Sequence, residues 1–415
     1  MCLHALALPQ IALETPLRAD SDTAVMLNAV RDTGGLGGAW RWFVGDWLLE
    51  NGFYRPVSSF TIALDYTLYG EAAWGFRLTN WLLMTLTAWG LFFLARAYAQ
   101  LIEYPHADWL ALCAAVALSL QQAGLTAALG KWSAWWFVGV VGIILYIASP
   151  RTERSVGRRT RWLPLLLALG ALFWGFDRLL ETHYTRLITW VPSRTALLGA
   201  LFSVWALYGL LRGASERRWG WLAGGGALYL LALGSYEQPV MLVGVWAAWA
   251  VGMRHRWGAW SWRAFGAVAV AAMVIVALRV SLLPTEPTDY QRQQRRSSLA
   301  GPVQTYFSEL LPPLGQISYW RAVGTDFEIL LVDRAGWDHL AGTLLYLGVL
   351  TALGRERRLL GGALTWHALT FLPMAFLHFF EHYMYLPQMG KTLFDVGLIW
   401  WGGQQLQGLL RSNME

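Results

Sequence analysis

Long apolar runs alternate with short polar stretches along most of this chain. Apolar runs of near-uniform length read as helices at roughly 79–98, 108–129, 133–149, 163–180, 195–211, 220–234, 238–253, 264–283, 337–353, 359–378 and 388–409. A hydrocarbon core of ~30 Å needs about 20 apolar residues per helix, so each run is a candidate membrane span. The stretch 1–17 is a doubtful further span: it is short, Pro9 and Glu14 interrupt it, and it reads as the remnant of a span that starts upstream. It lacks the basic flank of a signal peptide. The pattern therefore predicts an all-α polytopic membrane protein of 11 or 12 spans, one domain over 1–415. A large first external loop occupies 18–77 and a second long external loop 284–336.

Arginine sets the orientation. Arg151, Arg154, Arg158, Arg159 and Arg161 share one loop, and Arg212, Arg217 and Arg218 another. Arg254, Arg256 and Arg263 form a third cluster, and Arg355, Arg357 and Arg358 a fourth. With the spans above, all four fall on one side, which the positive-inside rule assigns to the cytoplasm. Arg292, Arg295 and Arg296 lie on the other side, in a long loop where the rule is weak. The working face is then external or periplasmic, and the expected location is the inner membrane of a bacterium.

Composition agrees. Of the 415 residues 56% are hydrophobic and only 14% charged, too few to cover a soluble protein of this size. The 26 tryptophans suit a membrane–water interface. The net charge of +6 belongs to basic loops, with no nucleic-acid motif beside it. Cys2 and Cys113 predict no disulfide and no cysteine metal site.

Particular segments then carry a resemblance. YRPVSSFTIALDYTLYG and GFRLTNWLLMTLTAWGLFFLAR lie within 53–98. WVPSRTALLGALFSVWALYGLL spans 190–211, LALGSYEQPVML spans 231–242, and EHYMYLPQMG spans 381–390. In this order they resemble the GT-C superfamily of polytopic glycosyltransferases. The likeness is to the branch holding the tetratricopeptide-bearing protein O-mannosyltransferases and their bacterial relatives. The chain departs from that pattern. Ser21 splits the acidic pair Asp20 and Asp22, and Ala196 stands where an acid often follows Arg-Thr. Tyr236 replaces a lysine before Glu237, and His382 an arginine before Tyr383.

The resemblance implies transfer of a sugar from a polyprenyl-phosphate donor to an external acceptor, without a nucleotide sugar. Such chemistry needs a carboxylate to take the acceptor's proton and cations to stabilise the departing phosphate. Asp22, or else Asp20, is the expected base; the alternative is an acidic turn capping the next helix. No cofactor is required, although the pair is acidic enough to hold a divalent metal. Arg55, Arg194, Lys131, Glu237, His382, Tyr383 and Tyr385 are candidates for the lipid-phosphate site. Arg55 is equally suited to an ion pair with Asp65 or Glu71, Arg194 to snorkelling, and Lys131 to ending a loop. Glu237 is either functional at depth or a water-facing turn residue, and the two tyrosines also suit the aromatic belt.

Other classes stay in view. The softened charges suit an inactive GT-C-derived structural subunit of a membrane assembly. A transporter fits less well, because the polar groups gather on one face. His378, Glu381 and His382 match the H-x-x-E-H zinc-protease pattern, which needs a helix to bring its imidazoles together. The glycine runs 34–38 and 224–226 lack the context of a phosphate-binding loop. In the second loop, 284–298 is polar, while 306–320 reads as an interfacial helix. By resemblance this loop is a lid over the donor; otherwise it is a connector. The expected partners are the polyprenyl-phosphate sugar and membrane lipid.

Overall fold

The computed structural model describes residues 16–104, 106–124, 162–181, 184, 186–295, 300–310, 318–323, 326–331, 337–353, 356–378 and 380–411. The architecture is nearly all helical. In chain order the helices are α1 Ser21–Asp32, α2 Pro56–Tyr69, α3 Ala73–Leu101, α4 Ala107–Gln122, α5 Trp162–Glu181, α6 Arg194–Glu216 and α7 Trp219–Leu233. There follow α8 Leu242–Gly252, α9 Ala259–Leu282, α10 Asp289–Gln294, α11 Ala300–Leu310, α12 Trp337–Ala352, α13 Arg357–Phe371 and α14 Tyr385–Arg411. An antiparallel hairpin, β1 Ser318–Val323 with β2 Asp326–Leu331, breaks the all-helical expectation and takes the place of helix at 318–320. The aromatic and β-branched residues Tyr319, Trp320 and Val323, and Phe327 and Ile329 opposite, favour strand.

Four helical stretches are long and apolar enough to cross a membrane: Ala73–Leu101, Val191–Glu216, Ala259–Leu282 and Arg357–Phe376. Trp219–Leu233 and Gln238–Gly252 are apolar but shorter. That is fewer than expected among the described residues. The shortfall has local causes: Pro239 sits in a 3-10 turn ahead of α8, which shortens it. In α14, Gln388, Lys391 and Asp395 dilute an otherwise apolar helix. The expected span 133–149, Lys131, the cluster at 151–161 and the stretch 1–15 lie outside the described residues.

The helices pack on one main apolar core. α6 is its centre, buried along most of its length and packed on α3 and α7. Glycines permit the approach: a Cβ on Gly209 would meet the Gly225 backbone at 3.2 Å, and one on Gly213 the Leu222 side chain at 2.5 Å. α14 joins α5 and α13 to this body.

The first loop has a small core of its own, made by Met26, Leu27, Val30, Trp42, Trp47, Ile62 and Phe76. Met26, Leu27 and Val30 recur at i, i+1 and i+4 on one face of α1 and are fully buried. Burial of each contributes about 1.5–3 kcal/mol, enough to hold so short a helix against the loop. Pro56 at the first turn of α2 and Gly70 with φ 60° after it set that helix's ends.

Candidate functional site

The four segments that carry the resemblance meet at one end of the bundle, joined by charge. Arg194 opens α6 and is completely buried. Its Nη2 donates to Asp65 Oδ2 at 2.6 Å and to the Phe76 carbonyl at 3.2 Å, and its Nε to Asn80 Oδ1 at 2.5 Å. Thr79 donates to the other Asp65 oxygen at 2.9 Å, and Asn80 Nδ2 to the Leu187 carbonyl at 3.0 Å. Arg194 therefore does not snorkel and does not present itself to a phosphate. It ties α2 and α3 to α6 in a closed knot.

Arg55 is likewise committed, but to neither expected partner. It grips Glu237, with Nε to Oε1 at 3.0 Å and Nη2 to Oε2 at 2.7 Å. Three rings surround the guanidinium: Phe53 at 4.3 Å, Trp47 at 4.5 Å and Tyr236 at 4.9 Å. Burial opposes its charge, but the Glu237 carboxylate outweighs that and raises its pKa. Asp65 is taken by Arg194, and Glu71 pairs with Arg18. Glu237 is thus a turn residue in a caged ion pair.

His382 sits beside this cage. Its ring lies 5.1 Å from Trp190, 6.5 Å from Tyr236, 5.6 Å from Phe380 and 4.5 Å from Tyr383. Desolvation, with Arg55 and Arg186 adding to it, pushes its pKa down to about 3, so the imidazole is neutral at pH 7. In this arrangement it adds no positive charge to the cluster. Burial also raises the Tyr383 and Tyr236 hydroxyls, keeping both protonated. Gln238 Nε2 donates to the Tyr383 carbonyl at 2.8 Å, locking the turn at 381–384 to the turn at 235–238.

Tyr385 goes elsewhere. It is fully buried, its hydroxyl accepts from Gln122 Nε2 at 2.7 Å, and its ring meets Tyr184 edge-on at 5.2 Å. It is a core residue between α14 and α4 and takes no part in the cluster around Arg55.

The zinc reading fails on backbone geometry. Phe380 is extended (φ −126°, ψ 139°), Leu377 bridges Arg295, and only Glu381–Met384 forms a 3-10 turn. Among the described residues no α-helix brings the two imidazoles to one face.

The acidic pair is split by role. Asp20 caps α1: its Oδ2 accepts from the Thr23 amide at 2.8 Å and the Thr23 hydroxyl at 2.7 Å. It is a structural N-cap and not the base. Asp22, the second residue of α1, is exposed. Its pKa is raised, first by desolvation and then by Asp20, while Arg186 opposes the rise. Arg186 lies over the Trp190 ring at 4.7 Å. Asp22 and Arg186 feel each other's charge, yet form no direct ion pair among the described residues. No group of three or more His, Cys, Asp or Glu is placed to hold a metal among the described residues.

Two residues of this neighbourhood escape a reading of the sequence. Arg186 stands as an unremarkable arginine in a short loop; its only signal is Trp190 four residues on, the spacing that stacks a cation on a ring along one helical turn. Tyr290 lies in the polar second loop. Its ring meets Phe53 at 6.3 Å, and the charges of Arg55, Asp22 and Glu237 all reach its hydroxyl, whose pKa burial raises.

The second loop folds over the site. Thr288 and Gln291 form a capping box at the start of α10. Thr288 then donates to the Asn51 carbonyl at 2.9 Å and Gln291 Nε2 to the Gly52 carbonyl at 2.7 Å. On the other side, the His378 amide donates to the Gln294 carbonyl at 2.9 Å. The segment therefore covers the Arg55 cage from 51–53 to 377–378. The segment connects the two ends and packs Tyr290 against Phe53.

Compared with protein-family models, curated proteins and solved structures, the chain matches none.

Proposed function

We propose that the chain is a polytopic integral membrane protein with a GT-C-like arrangement. In this reading it transfers a sugar from a polyprenyl-phosphate donor to an acceptor on the external face. The observation that carries the reading is the pair Asp22 and Arg186. An exposed carboxylate and an exposed guanidinium face the same cluster, close enough to interact and without pairing to each other. The junction of all four resembling segments at that cluster supports it, as do the four apolar helices.

The chemistry is a single displacement. The acceptor oxygen attacks the anomeric carbon while Asp22 takes its proton. The bond from that carbon to the phosphate oxygen breaks, and the polyprenyl phosphate leaves with the electron pair. Arg186 stabilises the charge that develops on it; a guanidinium presents paired donors to phosphate oxygens.

Transfer from a labelled polyprenyl-phosphate sugar in isolated membranes tests this. Asp22→Asn is expected to lower transfer by about 100-fold or more, and Asp20→Asn to act only through stability. Because the Asp22 pKa is raised, transfer should fall with decreasing pH through a midpoint above the usual aspartate value of about 3.9. Full transfer by Asp22→Asn removes the proposed base.

A second reading has its own observation. Arg55 and Arg194 are both neutralised by carboxylates, as in a structural subunit that no longer binds a phosphate. Absence of transfer from every polyprenyl-phosphate sugar by the unaltered protein would favour that reading.

A further inference from the structure

The opposite end of the bundle carries a second charged surface, unused by the chemistry above. α7 and α9 lie side by side and run the same way. Trp219 meets Trp260 at 5.3 Å, and seven residues further along each helix Gly226 faces Ala267. Both helices therefore start at the same end. Between their first turns, Arg263 stacks on two rings, Trp260 at 4.6 Å and Trp219 at 5.4 Å. The stack is on the surface: Trp219 is 63% exposed, Arg263 is exposed and Trp260 is half-buried beneath it.

Charge there is unbalanced. Arg212, Arg217, Arg218, Arg254, Arg256 and Arg263 gather at this end, and the carboxylates that reach them are Glu216 and Glu103. Glu216 serves Arg212 and, more loosely at 3.9 Å, Arg218, and Glu103 serves Arg256. Arg217 and Arg263 have no carboxylate partner among the described residues. Neither α7 nor α9 has an acid in its first turn or a side-chain cap, so the helix starts add positive potential to the patch without defining it.

We propose that the Trp219–Arg263–Trp260 stack, with Arg217 and Arg218, is a binding surface for the headgroup of an anionic glycerophospholipid. The inference rests on the reading that α9 crosses a membrane. Its 24 residues extend about 36 Å, so its first turn falls at headgroup level of a ~30 Å core. A lipid phosphate meets the guanidinia of Arg217 and Arg263 there, which have no carboxylate partner among the described residues, and the Trp219 indole lies at the depth tryptophan prefers. The rings hold Arg263 in place, which lowers the ordering cost of binding. Charge complementarity selects the occupant: a zwitterionic headgroup brings its own cation to a surface already rich in them.

Full-length protein in uncharged detergent, titrated with phosphatidylglycerol, phosphatidylcholine or inorganic phosphate and read by native mass spectrometry, tests the surface. Retention of phosphatidylglycerol over phosphatidylcholine is expected. Arg263→Gln should weaken that retention about fivefold. Trp219→Ala should weaken it as well, while Arg292→Gln in the distant loop should leave it unchanged. Arg263 is exposed, so its replacement spares the core. Equal retention of the two lipids, unaltered retention by Arg263→Gln, or equal competition by inorganic phosphate would each overturn the proposal. Alkaline extraction separates the two ideas. Protein that stays with the membrane but shows no lipid preference defeats only this inference, whereas release into solution defeats the membrane reading beneath it.

Discussion

Three arginines at the end of the bundle where the resembling segments meet differ only in what surrounds them. Arg194 is enclosed by Asp65, Asn80 and a carbonyl; Arg55 is paired and ringed; Arg186 is exposed on a single indole. Removing a partner from a buried pair leaves an uncompensated charge, at a cost of about 3–5 kcal/mol. Arg194→Leu is therefore expected to lose stability on that scale in denaturant unfolding of the detergent-solubilised protein, whereas Arg186→Gln should unfold like the parent. Equal stability of Arg194→Leu would mean that the knot is dispensable. The sequence offers no way to sort these three, because Arg194 and Asp65 stand 129 positions apart and Arg55 and Glu237 182. The acidic turn at 20–22 is easier: it reads as a cap for the next helix, and the structure gives that role to Asp20.

At the scale of elements, apolar periodicity is a sound guide where the helix is long. The expected runs 79–98, 195–211 and 264–283 fall on α3, α6 and α9. The run 388–409 likewise falls on α14, but the buried pair Lys391 and Asp395 keeps that helix from the apolar set long enough to cross a membrane. The run 359–378 ends early because Pro373 follows α13 and the chain then turns extended at Leu377. α10 shows what periodicity cannot see: a six-residue helix positioned by its bonds to 51–52 and 378. Gly52 sits at φ 86°, and a Cβ there would meet Gln291 Nε2 at 2.7 Å and Thr288 Cγ2 at 2.9 Å. Gly52→Ala should therefore loosen this cover, seen as faster amide exchange across 288–295, with α6 and α7 unchanged. Exchange identical to the parent would show that α10 is held by something other than this contact.

Across the whole molecule, charge is arranged by end. The cluster of Asp22, Arg186, Arg55 and His382 occupies one end and the Arg–Trp surface the other, with α6, α7, α8 and α9 running between them. If these helices cross a membrane, the two ends face different compartments. In a background with Cys2 and Cys113 changed to Ser, Asp32→Cys should react with an impermeant maleimide added outside intact cells. Ser215→Cys should react only after the membrane is opened. Labelling of both from one side would rule out that arrangement.

The Asp65–Arg194 bond also bears on how the protein is made. Asp65 leaves the ribosome 129 residues ahead of the only guanidinium that encloses it among the described residues. At about 5–20 residues per second, that is a wait of roughly 6–26 s. Throughout it, α2 and α3 carry a carboxylate destined for burial and still without its cation. The segment holding Asp65 therefore cannot reach its final form until α6 has been delivered, and a part of the chain made before α6 is finished only after it.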